Sequence, residues 1–385
     1  MKIFNKAFVI SWFCLLSIII NAQTGIVHLD SITSGSIKRK FRVYVPASYN
    51  ASTAVPLVFN LHGYTSNAFQ QEAYTNFMPI ADTANFIVVC PDGTSQSGNQ
   101  YWNAGFGPGV NDVLFISNLI DSIKANYNID NNSIYSCGMS NGGIMSYYLA
   151  CNLPNRIAAI ASVTGDMLNA WFASNPSPRA FPIMEIHGTA DATVPYAGDA
   201  TFAPIDSVIK KWRVYNNCNP TAITYSVPNI NMSDGSTAVN YKYTGGTNGS
   251  SVELYKVFGG SHSWPGAYPF ITNTNEDFSA SVEIWRFFRK YKLNQFIPNV
   301  GINELKNNGT DLNVYPNPAN EFLNVFYTGT SVAVIEIKNS LGQLVHQLST
   351  NDKQSFINIQ HLNSGIYFLS IKTDTGIVSK KFVKG

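Results

Sequence analysis

Residues 134–143 read Ile134-Tyr135-Ser136-Cys137-Gly138-Met139-Ser140-Asn141-Gly142-Gly143. An apolar run suited to a short strand leads into a sharp turn, and Ile144-Met145-Ser146-Tyr147-Tyr148-Leu149-Ala150 continues as a helix. The turn carries Gly138-x-Ser140-x-Gly142. A serine held on a strained strand-to-helix turn projects its hydroxyl clear of the sheet, where it can act as a nucleophile. Glycine flanks it because a side chain there would meet neighbouring backbone. The helix N-terminus adds partial positive charge at the same point, which favours a developing oxyanion. Gly-x-Ser-x-Gly also occurs in ordinary glycine-rich turns. The strand before this one and the helix after it favour the nucleophile.

Working outward, residues 25–33 and 38–46 read as two strands joined at Ser34-Gly35. Residues 56–61 and 86–90 are near-continuous apolar runs, as strands buried on both faces should be. A short helix is expected at 78–83. A second, at 112–127, carries Val113, Ile116, Leu119, Ile120 and Ile123 at helical spacing. Strands follow at 157–163 and 181–186, a helix at 204–217, strands and loops over 221–258, and a closing helix at 279–291. Alternating buried strands and helices predict a doubly wound, mostly parallel α/β sheet. From 311 onward the pattern changes to short alternating strands (322–327, 333–338, 344–348, 356–359, 366–371 and 378–383) with no helical period. This predicts a small all-β sandwich over 311–385, behind a polar linker at 294–310.

A serine nucleophile needs a base, an acid and an oxyanion hole. In this strand–helix order the acid follows the serine and the base comes last. His262 lies in Gly259-Gly260-Ser261-His262-Ser263-Trp264-Pro265-Gly266, a flexible loop before the closing helix, and is the preferred base. His187 ends a strand and is its competitor, while His346 and His361 fall in the β region. Asp191 follows the 181–186 strand and is the preferred acid, against Asp166, Asp199 and Asp206. The backbone N–H groups of Asn141 and Tyr64 are the expected oxyanion donors. Trp102 and Trp264 are candidate substrate contacts, with core packing as the equal alternative.

Charged residues make up 12% of the chain and the formal net charge is +2. Lys2 and Lys6 account for both positive units, so nothing suggests a nucleic-acid partner. Those lysines precede the apolar run from Phe8 to Ile20, and Asn21-Ala22-Gln23 offers a small residue for cleavage. Residues 1–22 therefore read as a secretory signal peptide, and no other stretch is long enough for a membrane span. Cys14 leaves with the leader. Cys90 and Cys137 should sit two strands apart and too far for a bridge. Cys151–Cys218 is the candidate disulfide, set against two free thiols. There is no zinc-ligand cluster, phosphate loop or dinucleotide fingerprint, so no cofactor is expected.

Leu61-His62-Gly63, Asn111-Asp112-Val113, the Ser140 turn, His187-Gly188-Thr189-Ala190-Asp191 with Val194-Pro195-Tyr196, and the His262 loop occur in one order. Over most of residues 40–290 the chain thereby resembles the polyhydroxybutyrate-depolymerase/feruloyl-esterase branch of secreted α/β-hydrolases, the carbohydrate esterase family 1 type. The resemblance implies a catalytic domain at 23–293 with Ser140, Asp191 and His262 as its triad. Tyr101 stands where many relatives have cysteine. Asn313-Val314-Tyr315-Pro316-Asn317-Pro318-Ala319, Leu341-Gly342-Gln343-Leu344-Val345 and Leu362-Asn363-Ser364-Gly365-Ile366-Tyr367 resemble the type A sorting domain of the Bacteroidota type IX secretion system. That implies export, with the secretion machinery as partner of 311–385. The expected activity is hydrolysis of a carboxylic ester, in a polymer or plant-cell-wall material. A serine peptidase and a non-catalytic carbohydrate- or polymer-binding protein are the alternatives.

Overall fold

The structure is a computed structural model. It describes residues 25–295 and 312–385, apart from 97, 174–176, 268–273, 328–332, 340–342 and 374–375. The leader read at 1–22 lies outside these residues, as does most of the linker. The chain divides into two compact units, between Ile297 and Pro298.

The first unit contains β1 (Ile26–Ser34), β2 (Ile37–Val45), β3 (Val55–Leu61), α1 (Ala68–Thr75), α2 (Met78–Ala84), β4 (Ile87–Pro91), β5 (Thr94–Gln96) and β6 (Asn99–Tyr101). It continues with α3 (Asp112–Asn126), β7 (Ile129–Met139), α4 (Asn141–Asn152), β8 (Ala159–Val163), α5 (Asn169–Phe172) and β9 (Ile183–Gly188). It ends with α6 (Ile205–Tyr215), β10 (Ile223–Ser226), β11 (Thr237–Tyr243), β12 (Val252–Phe258) and α7 (Ala280–Phe288). Ten strands form one sheet in the order β1-β2-β4-β3-β7-β8-β9-β12-β11-β10. The six from β4 to β12 are parallel, and antiparallel pairs close both edges. Two apolar cores lie against it: Leu57, Phe59, Phe115 and Leu119 belong to one, and Val58, Val88, Ala161 and Phe287 to the other. Burial on both faces explains why β3 and β4 read as near-continuous apolar runs.

β3 sits between β4 and β7, so strand order reverses there. In such sheets the crevice beyond the carboxyl ends of the strands at the reversal is where ligands bind. The loop reaching that edge from β4 is anchored by charge. Arg39 donates to Asp112 Oδ1 at 2.7 Å, Asp112 Oδ2 accepts from Asn103 N at 2.7 Å, and both charged side chains are buried. The Asn111-Asp112 pair thus caps α3 through Asn111 Oδ1 and pins the loop through Asp112.

α1 has no counterpart in the apolar periodicity, because its inner face is polar. Gln71 Nε2 donates to Asn60 Oδ1 at 2.8 Å, and Asn60 Nδ2 donates to Thr75 Oγ1 at 2.7 Å. Glu72 accepts from Arg42 at 2.7 Å. The Asn67 N-cap and the left-handed Asn76 C-cap were the signals available.

Of the two alternatives for Cys151 and Cys218 the structure has the unbridged one; Cys90, Cys137, Cys151 and Cys218 are all free thiols. Cys218 is turned onto Ser250 O, 3.8 Å away, and Cys151 packs against the apolar core at the end of α4. Cys90 and Cys137 flank β3, with the Asn60 amide between them.

The second unit has two antiparallel sheets. One is β13 (Leu312–Tyr315), β14 (Phe322–Tyr327) and β17 (Gln354–Asn358). The other is β16 (Leu344–Thr350), β15 (Ala333–Asn339), β18 (Gly365–Thr373) and β19 (Gly376–Lys384). Leu323 and Val325 from the first share a core with Ile335, Leu369 and Phe382 from the second. β13 was missed because four residues are too few to display an alternation.

Candidate active site

β7 runs directly into Ser140, which has φ 53° and ψ −119°, and α4 begins at the next residue. The glycines of this turn are there for space. A Cβ on Gly142 would stand 2.2 Å from Leu61 O, and one on Gly138 2.6 Å from the same oxygen. A Cβ on Gly143 would meet Ser162 Oγ at 2.6 Å. The end of β3 and the start of α4 approach each other at Gly138 and Gly142, and α4 meets the end of β8 at Gly143. Gly142→Ala is therefore expected to destabilise the unit by about 1–3 kcal/mol, measured by denaturant unfolding. Wild-type stability in that variant would contradict the close approach.

The turn after β3 lies against the serine. A Cβ on Gly63 would sit 3.5 Å from Ser140 Cβ, and Tyr64 follows at the mouth of the cleft. Asn141 opens α4, so its N–H is among the helix donors without an intrahelical acceptor. His62 braces the turn. Its Nδ1–H donates to Gly63 O at 2.7 Å, and its Nε2 accepts from Gly93 N at 2.9 Å. Burial pushes this ring below the ordinary histidine range, which suits that neutral state.

Neither tryptophan is a substrate contact. Trp102 and Trp264 are fully buried. The Trp264 indole N–H donates to Ser281 Oγ at 3.1 Å, in the core beside Phe77. Trp102 joins the two sides of the cleft floor. Its indole N–H donates to His62 O at 2.9 Å, its backbone N to Asn141 Oδ1 at 2.6 Å, and its O accepts from Asn141 Nδ2 at 3.1 Å. Trp102 thus holds the loop of Tyr64 through its indole and the first residue of α4 through its backbone.

Asp191 and His262 come from adjacent parallel strands, β9 and β12. Their loops are stitched by Ala190 N to Gly260 O at 3.0 Å and Gly259 N to Thr189 Oγ1 at 3.0 Å. His262 Nδ1–H donates to Asp191 Oδ2 at 2.8 Å. Asp191 Oδ1 accepts from Thr193 N at 2.8 Å and Val194 N at 2.9 Å. Burial raises the Asp191 carboxyl, but the His262 hydrogen bond and charge outweigh it, and the group lies below the usual range. The other carboxylates are turned elsewhere. Asp166 Oδ1 accepts from Met167 N at 2.6 Å, and burial pushes that carboxyl up to about 8. Asp199 holds Thr201 N and Phe202 N, and Asp206 holds Tyr196 Oη. His346 and His361 face each other in the second unit.

Ser140 and His262 line one cleft of about 500 Å³, together with Gly63, Tyr64, Phe69, Tyr74 and Met139. Phe69 and Tyr74 come from α1, so the apolar wall was not visible in the sequence pattern.

The first unit has the α/β-hydrolase fold by its sheet order and by the strand–turn–helix at Ser140. Residues 111–227 match the phospholipase/carboxylesterase family model, and residues 313–385 match that of the secretion system C-terminal sorting domain. The sorting domain marks the chain for export to the cell surface or the extracellular space. Among curated proteins, a bifunctional acetylxylan esterase/xylanase of Neocallimastix patriciarum is 29% identical over 58% of this chain and 31% of its own length. Feruloyl esterase B of Piromyces equi is 31% identical over 47% of this chain and 36% of its own. This chain thus spans about a third of both relatives. Feruloyl esterase D of Neurospora crassa is 26% identical over 70% of this chain and 87% of its own. The solved acetyl xylan esterase of Aspergillus awamori shares the fold at TM-score 0.50 and 15% identity, covering 69% of this chain and 99% of that one. Among the described residues, no helix is long and apolar enough to cross a membrane.

Proposed function

We propose that this chain is an exported serine esterase that cleaves hydroxycinnamoyl or acetyl esters of polysaccharides through an acyl-enzyme. The observation that carries the reading is one cleft lined by Ser140 and by His262, whose far ring nitrogen is bonded to Asp191. In this reading Ser140 Oγ attacks the ester carbonyl while His262 Nε2 takes its proton. Asp191 holds the imidazole in the Nδ1–H tautomer and stabilises the imidazolium that forms. The N–H groups of Tyr64 and Asn141 receive the oxyanion. His262 then protonates the departing sugar oxygen to give the free hydroxyl; it next takes a proton from the water that attacks the acyl-serine and returns it to Ser140 Oγ as the carboxylic acid leaves. The apolar wall of Phe69, Tyr74 and Met139 suits a flat aromatic acyl group, and the names of the relatives point to the same ester classes.

The test is a panel of methyl ferulate, acetylated xylan, p-nitrophenyl acyl esters and polyhydroxybutyrate. Turnover of the first or second supports the reading, and turnover of the polyester alone would replace it.

The same proposal takes residues 1–22 as a leader, 23–293 as the catalytic domain and 311–385 as the sorting tail. Every proposed catalytic group lies in the first unit. Deleting 311–385 is expected to leave kcat and KM of the purified protein unchanged and to stop release from the native host. A folded truncation without activity would make the tail part of the site.

A further inference from the structure

Beneath the Asp191–His262 pair lies a second histidine. His187 is the fifth residue of β9 and is fully buried. Its Nε2 is 2.9 Å from Val194 O and 3.5 Å from Asp191 Oδ2. Neither oxygen has a proton to give, since one is a carbonyl and the other is held ionised, so Nε2 is a donor. Its Nδ1 faces Glu185 Oε1 at 3.0 Å. The other oxygen of that carboxylate, Oε2, accepts from Tyr147 Oη at 3.0 Å. Burial raises the Glu185 carboxyl and the His187 hydrogen bond and charge oppose it; with that carboxylate ionised, both ring nitrogens face acceptors and the ring carries a proton on each.

A buried charge of this kind is costly unless it is paired. Here the main partner is Glu185, and Asp191 adds a second, longer contact. Oδ1 of Asp191 is tied to the backbone of Thr193 and Val194, and Oδ2 is shared between His262 and His187. Val194 closes the ring, accepting from His187 through its O and donating to Asp191 through its N.

We infer that His187, clamped by Glu185, is a positioning residue for the proposed triad: a buried imidazolium that fixes the Asp191 carboxylate and balances its charge beneath His262. The inference rests on the triad reading above. Burial lowers the His187 ring's affinity for its proton, but the Glu185 hydrogen bond and charge reverse that, and the ring lies above the ordinary range. The other groups facing it are Asp166, from the loop after β8, and the neutral Tyr196 ring, edge-on at 5.9 Å. Tyr147 of α4 acts through Glu185. His187 does not line the cleft, so substrate binding is outside its reach.

The sign of its effect on pH dependence follows from charge. A fixed cation beneath the triad opposes the addition of a second positive charge beside it. Removing the cation should move the acid limb of the kcat/KM profile to higher pH. His187→Gln is expected to lower kcat about 10²-fold, through loss of Asp191 alignment, with KM nearly unchanged. Glu185→Gln should move the acid limb the same way, and it keeps the test alive if His187→Gln does not fold. In wild-type protein labelled with ¹⁵N-histidine, His187 should show an N–H at both ring nitrogens across neutral pH, and Glu185→Gln should lose one of them. A single N–H on His187 in the wild type overturns the inference. So does an unmoved acid limb with wild-type kcat in both variants. The NMR measurement needs no substrate. A doubly protonated His187 in a protein that turns over no ester would therefore support the clamp and count against the esterase reading.

Discussion

Ser140→Ala is expected to remove ester hydrolysis almost entirely, with kcat falling on the order of 10⁶-fold, as when a serine nucleophile is deleted. What remains should be the catalysis due to binding and the oxyanion hole, about 10³–10⁴ over water. The fold should survive. The turn is held by the backbone, through Ser140 N to Val163 O at 2.8 Å and Ile144 N to Ser140 O at 2.9 Å, and neither bond uses the hydroxyl. Burst kinetics with a p-nitrophenyl ester would check the chemistry and circular dichroism the fold. A folded variant turning over at near the wild-type rate would sink the assignment of Ser140.

Asp191→Asn should cost about 10⁴ in kcat, for a reason visible in its hydrogen bonds. Oδ1 receives two backbone N–H groups, from Thr193 and Val194. An asparagine must keep its carbonyl oxygen there, which turns its NH₂ toward His262 Nδ1. That ring nitrogen would become an acceptor and Nε2 would carry the proton. A histidine in this tautomer cannot take the proton of Ser140. The substitution leaves the size of the side chain unchanged, so KM should change little beside kcat. Full activity in Asp191→Asn would remove Asp191 from the mechanism.

The residues behind both predictions were legible to different degrees. The Ser140 turn declares itself within ten residues, because its sterics are local: Gly138 and Gly142 are small where β3 and α4 nearly touch. Asp191 and His262 were found by their places after strands. The structure adds which way the side chains of their competitors point. Asp166 is spent on Met167 N, and His187 lies under Asp191 rather than beside the serine. α1 escaped because its buried face is made of Gln71, Glu72 and Thr75, whose partners Asn60 and Arg42 are on other strands.

By itself, then, the sequence determined the alternation of buried strands and helices, the change to short strands beyond residue 311, and the elbow at Ser140. These rest on side-chain period and on sterics between near neighbours, which a linear chain displays directly. Only the tertiary structure decided that Trp102 and Trp264 are braces and not substrate contacts, that Cys151 and Cys218 stay unbridged, and that α1 supplies the wall of the cleft. The burial of an indole, the reach of a thiol and the polar face of a helix are each set by partners far away in the chain. No spacing within one segment records them.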